Sequence, residues 1–123
     1  MTRPVPRRAL GLLLLGPVLL AACGGGDEGS SDTAGAVEVV STADTCRPAK
    51  DTFAPGKVRF AIRNGGSAAT ELYVYQDGKV LTEVENVGPG TSRSLTADLK
   101  AGKAYVLSCK PGGNEIKVPI SVG

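Results

Sequence analysis

Residues 56–66 read Gly56-Lys57-Val58-Arg59-Phe60-Ala61-Ile62-Arg63-Asn64-Gly65-Gly66, and this stretch decides the fold class. Val58, Phe60 and Ile62 alternate with Arg59, Ala61 and Arg63, which is the period of two expected of a strand with one buried face. The Asn-Gly-Gly that follows is a turn signal. The stretch therefore predicts a half-buried β-strand that ends in a turn.

Runs of the same kind, rich in β-branched and aromatic residues, continue to the end of the sequence. No run has the apolar spacing of an amphipathic helix. Asp77-Gly78 lies between two runs and predicts a hairpin. We predict an all-β domain at residues 36–123, an antiparallel Greek-key β-sandwich of seven short strands. Besides the strand at 58–63, these are 37–39, 71–75, 80–84, 92–97, 103–109 and 116–122.

The beginning of the chain is typical of an export signal. Three arginines precede an apolar run at residues 9–20. This run is about half the ~20 residues needed to span a bilayer, so it predicts a signal peptide instead of a transmembrane helix. Leu20-Ala21-Ala22-Cys23 resembles the lipobox of bacterial lipoproteins, in which the cysteine is acylated and the chain is cut before it. The alternative is an ordinary signal peptide with a chance cysteine.

We therefore expect a lipoprotein signal peptide at residues 1–22 and lipidation of Cys23. The membrane is then a partner through the lipid anchor, and the protein lies on the extracytoplasmic (periplasmic) face of the cell membrane. Residues 24–35 contain no large apolar side chain, so residues 23–35 are predicted to be the lipidated cysteine and a flexible tether.

The charge and composition exclude several classes of function. Removing residues 1–22 takes three of the 14 basic residues, and 11 remain against 12 acidic ones. This balance argues against nucleic-acid binding. The chain has no histidine, which excludes a Ser-His-Asp triad and the His-based zinc sites. No glycine-rich phosphate loop leads from a strand into a helix. We predict that the protein is not an enzyme.

Two cysteines, Cys46 and Cys109, lie in the predicted domain. A pair of cysteines in a small exported domain most often forms a disulfide. The pair could instead supply two thiolate ligands to a metal ion. The residues alone leave both interpretations open.

Two segments carry a resemblance to cupredoxins. Residues 56–66, with position 71 after them, resemble the part of a cupredoxin that supplies the first copper histidine. Residues 105–113 resemble the second ligand segment, in which histidine and methionine follow the cysteine. Position 71 is Glu here, and no histidine follows Cys109. A blue-copper centre requires two imidazoles and a thiolate, so that function is excluded.

A subfamily that lacks these histidines is the EfeO-type cupredoxin-like domain of bacterial iron-uptake systems. The chain resembles it from Cys46 to about Val122, most specifically in Glu83-Val84-Glu85-Asn86-Val87-Gly88-Pro89-Gly90. The resemblance implies iron or copper as the bound ion and a membrane-embedded iron transporter as a partner. It implies metal ligands at Cys46, Glu71, Glu83, Glu85 and Cys109. Position 107 is Leu where some relatives carry Met, and the helical metal-binding domain of longer relatives does not follow.

The glutamates can also be assessed from their spacing alone. Glu83 and Glu85 are two apart on a predicted strand, so their side chains share a face. Carboxylate oxygens suit hard cations such as Fe(III), and reduced cysteines would admit copper as well. Tyr73 and Tyr75 could add phenolate oxygens or simply pack. The alternative to a metal site is a solvated polar face on an immunoglobulin-like interaction module, stapled by the disulfide and without a role in metal handling.

Overall fold

The computed structural model describes residues 35–123. The predicted signal peptide, Cys23 and the tether as far as residue 34 lie outside the described residues. Within residues 35–123, no helix is long and apolar enough to cross a membrane.

The described chain forms nine strands and one short 3-10 turn at Pro111–Gly113. The seven predicted strands are all present, and two very short ones were not predicted. The strands are β1 (Val37–Ser41), β2 (Cys46–Pro48), β3 (Thr52–Phe53), β4 (Gly56–Asn64), β5 (Thr70–Gln76), β6 (Lys79–Val87), β7 (Ser92–Leu99), β8 (Tyr105–Cys109) and β9 (Ile116–Val122).

The strands form two sheets that pack as a sandwich. One sheet has four strands in the order β2-β1-β4-β7, and the other has five in the order β3-β9-β8-β5-β6. The predicted cupredoxin-like β-sandwich is confirmed. Its sheets are mixed, because β1 pairs with β4 in parallel and β3 pairs with β9 in parallel. The chain passes through β2 and β3 before it returns to the first sheet, so β4 runs in the same direction as β1.

The core lies between the two sheets and is built by the alternation of each strand. On β4, Phe60 and Ile62 are fully buried, as the sequence predicts. Phe53 meets Phe60 edge to face, with 5.5 Å between ring centroids. The hydroxyls of Ser41 on β1 and Thr70 on β5 are 2.7 Å apart and satisfy each other across the two sheets.

A disulfide joins Cys46 to Cys109, with 5.6 Å between their Cα atoms. The predicted bridge is confirmed. Cys46 begins β2 in one sheet and Cys109 ends β8 in the other, so the bond staples the two layers of the sandwich. Both residues are buried. As long as the bridge is closed, neither sulfur is a thiolate that could bind a metal.

Candidate metal-binding face

The hairpin of β5 and β6 carries the glutamates that the sequence predicts as ligands. Leu72 and Val74 on β5 point into the core, so Glu71 and Tyr73 point away from it. On β6, Val84 is buried and its neighbours Glu83 and Glu85 are exposed. Tyr73 pairs directly with Glu83. We call the outer surface that carries Glu71, Tyr73, Glu83 and Glu85 the carboxylate face.

A β-bulge brings the third glutamate to this face. Leu72 pairs with Val84 and Thr70 with Val87, so Glu71 lies opposite two residues, Glu85 and Asn86. Asn86 has a φ of 57°, in the left-handed region that asparagine tolerates better than most side chains. The extra residue allows Glu85 to lie on the outer surface while Val87 returns to the core.

The hydroxyl of Tyr73 is the meeting point of the carboxylates. It donates a hydrogen bond to Oε1 of Glu85 at 3.0 Å. Burial raises the pKa of the Tyr73 hydroxyl, and the carboxylates of Glu83, Glu85 and Glu71 raise it further. They do so because a phenolate among carboxylates would be repelled, whereas the protonated phenol can donate to them. The Tyr73 hydroxyl is therefore under the influence of all three glutamates and donates its hydrogen bond to one of them, Glu85.

Two lysines that the sequence analysis did not identify border the carboxylate face. Nζ of Lys110 lies 3.8 Å from the centroid of the Tyr73 ring, and Nζ of Lys117 lies 5.6 Å from that of Tyr75. The two rings are stacked, with 6.1 Å between centroids. These are cation–π contacts. The pairing of β8 with β5 and β9 places the lysines here, and no local sequence signal gives that pairing.

Glu115 links the two lysines, at 3.5 Å from Lys110 and 3.3 Å from Lys117. Burial alone would raise the pKa of Glu115, but Lys117, Ser108 and Lys110 lower it overall. Burial alone would likewise lower the pKa of Lys110, but Tyr75 and Glu115 raise it overall. Glu115 thus compensates part of the positive charge of Lys110 and Lys117. A cleft of about 310 Å³ lies between this group and the bulge, and Glu71, Asn86 and Lys110 line it.

The structure separates the cysteines from the glutamates. Leu72 lies directly opposite Cys109, and both side chains face the core. Glu71 and Tyr73 flank Leu72 and therefore point to the other side of the sheet. Of the five predicted ligands, the structure groups Glu71, Glu83 and Glu85 around Tyr73 and leaves Cys46 and Cys109 behind the sheet. As placed, no three Cys, Asp or Glu side chains within residues 35–123 are arranged to hold a metal ion.

Comparison with known proteins finds relatives among iron uptake system components. No protein-family model matches the chain. The iron uptake system component EfeO of Escherichia coli (strain K12) is 36% identical to it over 73 residues. The EfeO proteins of Shigella flexneri and Shigella sonnei match to the same extent. The predicted resemblance to EfeO-type domains is confirmed. The match covers 59% of this chain and 19% of the length of each of these relatives.

Proposed function

We propose that the sandwich binds a ferric ion outside the cytoplasm and delivers it for uptake. The observation that carries this proposal is the grouping of three carboxylates around the Tyr73 hydroxyl, in a chain similar to EfeO, an iron uptake system component. The ion is cargo in this role. No catalytic step is required of the protein.

The oxygen donors of the carboxylate face determine which metal ion it would prefer. Glu71, Glu83 and Glu85 offer carboxylate oxygens, which prefer hard cations such as Fe(III). The soft sulfurs that would favour copper are paired in the disulfide and face the core. With the bridge closed, we infer that iron is the physiological ion and that Cu(II) is a weaker competitor on the same oxygens.

Binding requires the carboxylates to turn inward, because they do not yet form a compact ligand set. Glu83 and Glu85 are exposed, so their side chains can rotate at little cost in packing. A trivalent ion would compensate the negative charge of the carboxylates, which the neutral phenol of Tyr73 does not. Lys110 lies at the border of the carboxylate face and can keep its ion pair with Glu115 when the ion binds.

The cellular setting follows from the N-terminal sequence. Leu20-Ala21-Ala22-Cys23 supports a lipid anchor at Cys23, and the tether would leave the domain free to reach a partner in the same membrane. We propose a membrane-embedded iron transporter as that partner, because the similar proteins are components of an iron uptake system.

The test is a titration of the protein with a ferric chelate, in which calorimetry measures the binding affinity. Glu83→Gln with Glu85→Gln should weaken binding at least tenfold, which corresponds to about 1.4 kcal/mol. The matched control is Glu38→Gln with Asp98→Asn, which removes two exposed carboxylates on the other sheet and should leave affinity unchanged. Equal affinity in the wild type and the Glu83/Glu85 variant would favour the alternative, a disulfide-stapled interaction module.

A further inference from the structure

One end of the sandwich carries a surface that the proposed iron site does not use. It consists of the β5–β6 turn at Asp77-Gly78 and the β7–β8 loop at residues 100–104. Two hydrogen bonds hold them together, from the Asp77 N–H to the Ala104 carbonyl at 2.8 Å and from the Ala104 N–H to Oδ1 of Asp77 at 3.0 Å. Nζ of Lys103 adds an ion pair to Asp77 at 3.7 Å. We call this surface the hairpin end.

Two adjacent aliphatic side chains stand exposed at the hairpin end. Val80 is 51% exposed and Leu81 is 40% exposed, and they are the two exposed large hydrophobic residues in the described part of the chain. Tyr75 pairs with Val80 and Val74 with Thr82, so Leu81 is the extra residue of a bulge. Both lie on β6, which is the edge strand of its sheet, beside a recess of about 430 Å³.

Exposed lysines surround these apolar side chains. Lys79 precedes Val80 directly, and Lys100 and Lys103 come from the neighbouring loop. Lys57 lies at the same end, because β4 begins beside the last residues of β7. Against these four lysines stand Asp77, which forms an ion pair with Lys103, Asp98, which lies opposite Lys57 in the sheet, and Glu83, two residues beyond Leu81 on β6. The hairpin end therefore combines apolar side chains with a positive surrounding.

The chain approaches the domain from the side of this end. β1 runs parallel to β4 and its first residue, Val37, lies opposite Phe60, midway along β4, so the residues before Val37 come from the direction of the hairpin end. The predicted lipidated residue, Cys23, precedes Val37 by a tether with a root-mean-square reach of roughly 20 Å. An anchor at Cys23 would thus leave the hairpin end within reach of the membrane without fixing its orientation.

We propose that the hairpin end docks on the anionic lipid surface of the membrane that holds the predicted anchor. Val80 and Leu81 enter the boundary between headgroups and acyl chains, and the lysines contact lipid phosphates. Glu71 lies at the far end of the hairpin, where Thr70 pairs with Val87. Docking therefore leaves the carboxylate face open toward solvent and fixes an orientation that a flexible tether alone cannot give.

The experiment measures binding of the chain from residue 24 onward, which keeps every described residue and lacks Cys23, to phosphatidylglycerol-containing vesicles and to neutral phosphatidylcholine vesicles. We expect binding to the anionic vesicles only. Val80→Thr with Leu81→Thr, and separately Lys79→Gln with Lys100→Gln, should each weaken it roughly tenfold or more. The matched control, Arg47→Gln with Arg63→Gln, removes two exposed charges on either side of Val40 in the other sheet and should change it less than about twofold.

A second readout uses the absence of tryptophan from the chain. A tryptophan introduced as Leu81→Trp should shift its emission to shorter wavelength when anionic vesicles are added, whereas Arg63→Trp, in the other sheet, should not. Equal loss of binding in the two charge variants, or no binding by the wild type, would overturn the proposal. The proposal would also be overturned if the protein dimerised in the absence of vesicles and Leu81→Thr abolished the dimer. The edge of β6 would then be an interface between copies of the chain.

Discussion

Tyr73 shows how one residue organises a surface that the sequence presents only as scattered charges. Its ring lies under Lys110, its hydroxyl donates to Glu85, and Glu83 lies opposite it in the sheet. The shared face of Glu83 and Glu85 could be predicted from their spacing. The addition of Glu71 and Tyr73 could not, because it depends on the pairing of β5 with β6 and on the bulge at Asn86.

The raised pKa of the Tyr73 hydroxyl gives a direct prediction. An ordinary tyrosine ionises near pH 10. Because the folded state holds this proton more tightly, Tyr73 stabilises the fold below about pH 10, and the contribution is lost as the pH rises above that value. In an absorbance titration of the folded protein, Tyr73 should ionise late. Tyr73→Phe should remove this late step, and the control Tyr75→Phe should keep it. A late step that survives in Tyr73→Phe would place the perturbed tyrosine elsewhere.

At the scale of strands, alternation and turn residues predicted most of the fold. The strand at residues 58–63 and the hairpin at Asp77-Gly78 are both confirmed. β2 and β3 were missed because three and two residues are too few to show a period. The parallel pairing of β1 with β4 is equally invisible in the sequence, since it is made by residues distant along the chain.

Asn64 joins elements that belong to different sheets, although its sequence context suggests only a turn. Its side-chain amide donates to the carbonyls of Ala68, at 2.7 Å, and Val87, at 2.9 Å, while its Oδ1 accepts from the Gly66 N–H at 2.8 Å. Val87 ends β6 in the five-stranded sheet, and Asn64 ends β4 in the other. The residue is 1% exposed, so water cannot replace these bonds.

Asn64→Ala should therefore lower the free energy of unfolding by about 2–3 kcal/mol, because it leaves buried backbone groups without partners. Asn114→Ala is the matched control, since that asparagine is exposed and should change stability by less than about 0.5 kcal/mol. Urea unfolding of both variants measures the difference. Equal urea midpoints for the two variants would mean that the loops rearrange and that their backbone groups form hydrogen bonds with one another without Asn64.

At the scale of the whole molecule, residues 35–123 form a small sandwich whose two layers are joined covalently by the Cys46–Cys109 bridge, while its proposed binding surfaces lie on the hairpin of β5 and β6. The separation of the bridge, in the core, from the proposed binding surfaces, on the outside of the hairpin, could be predicted only in part. Cysteine count and export signal favoured the bridge over a pair of metal ligands. The expectation that the glutamates meet the cysteines rested on the resemblance, and the β8–β5 register places the two sets on opposite sides of one sheet.

The bridge gives the last prediction. It spans 63 residues of sequence, so its removal by Cys46→Ser with Cys109→Ser should cost about 4 kcal/mol in the chain-entropy model. Urea unfolding with and without a reductant measures this, and Cys23→Ser is the control that removes a cysteine without opening the bridge. An unchanged midpoint in reductant would show that the bridge contributes nothing. Under conditions where the double variant is still folded, it should bind ferric ion as the wild type does, because the carboxylates lie on the other face of the sheet. Loss of binding by the folded variant would instead assign the sulfurs to the metal site.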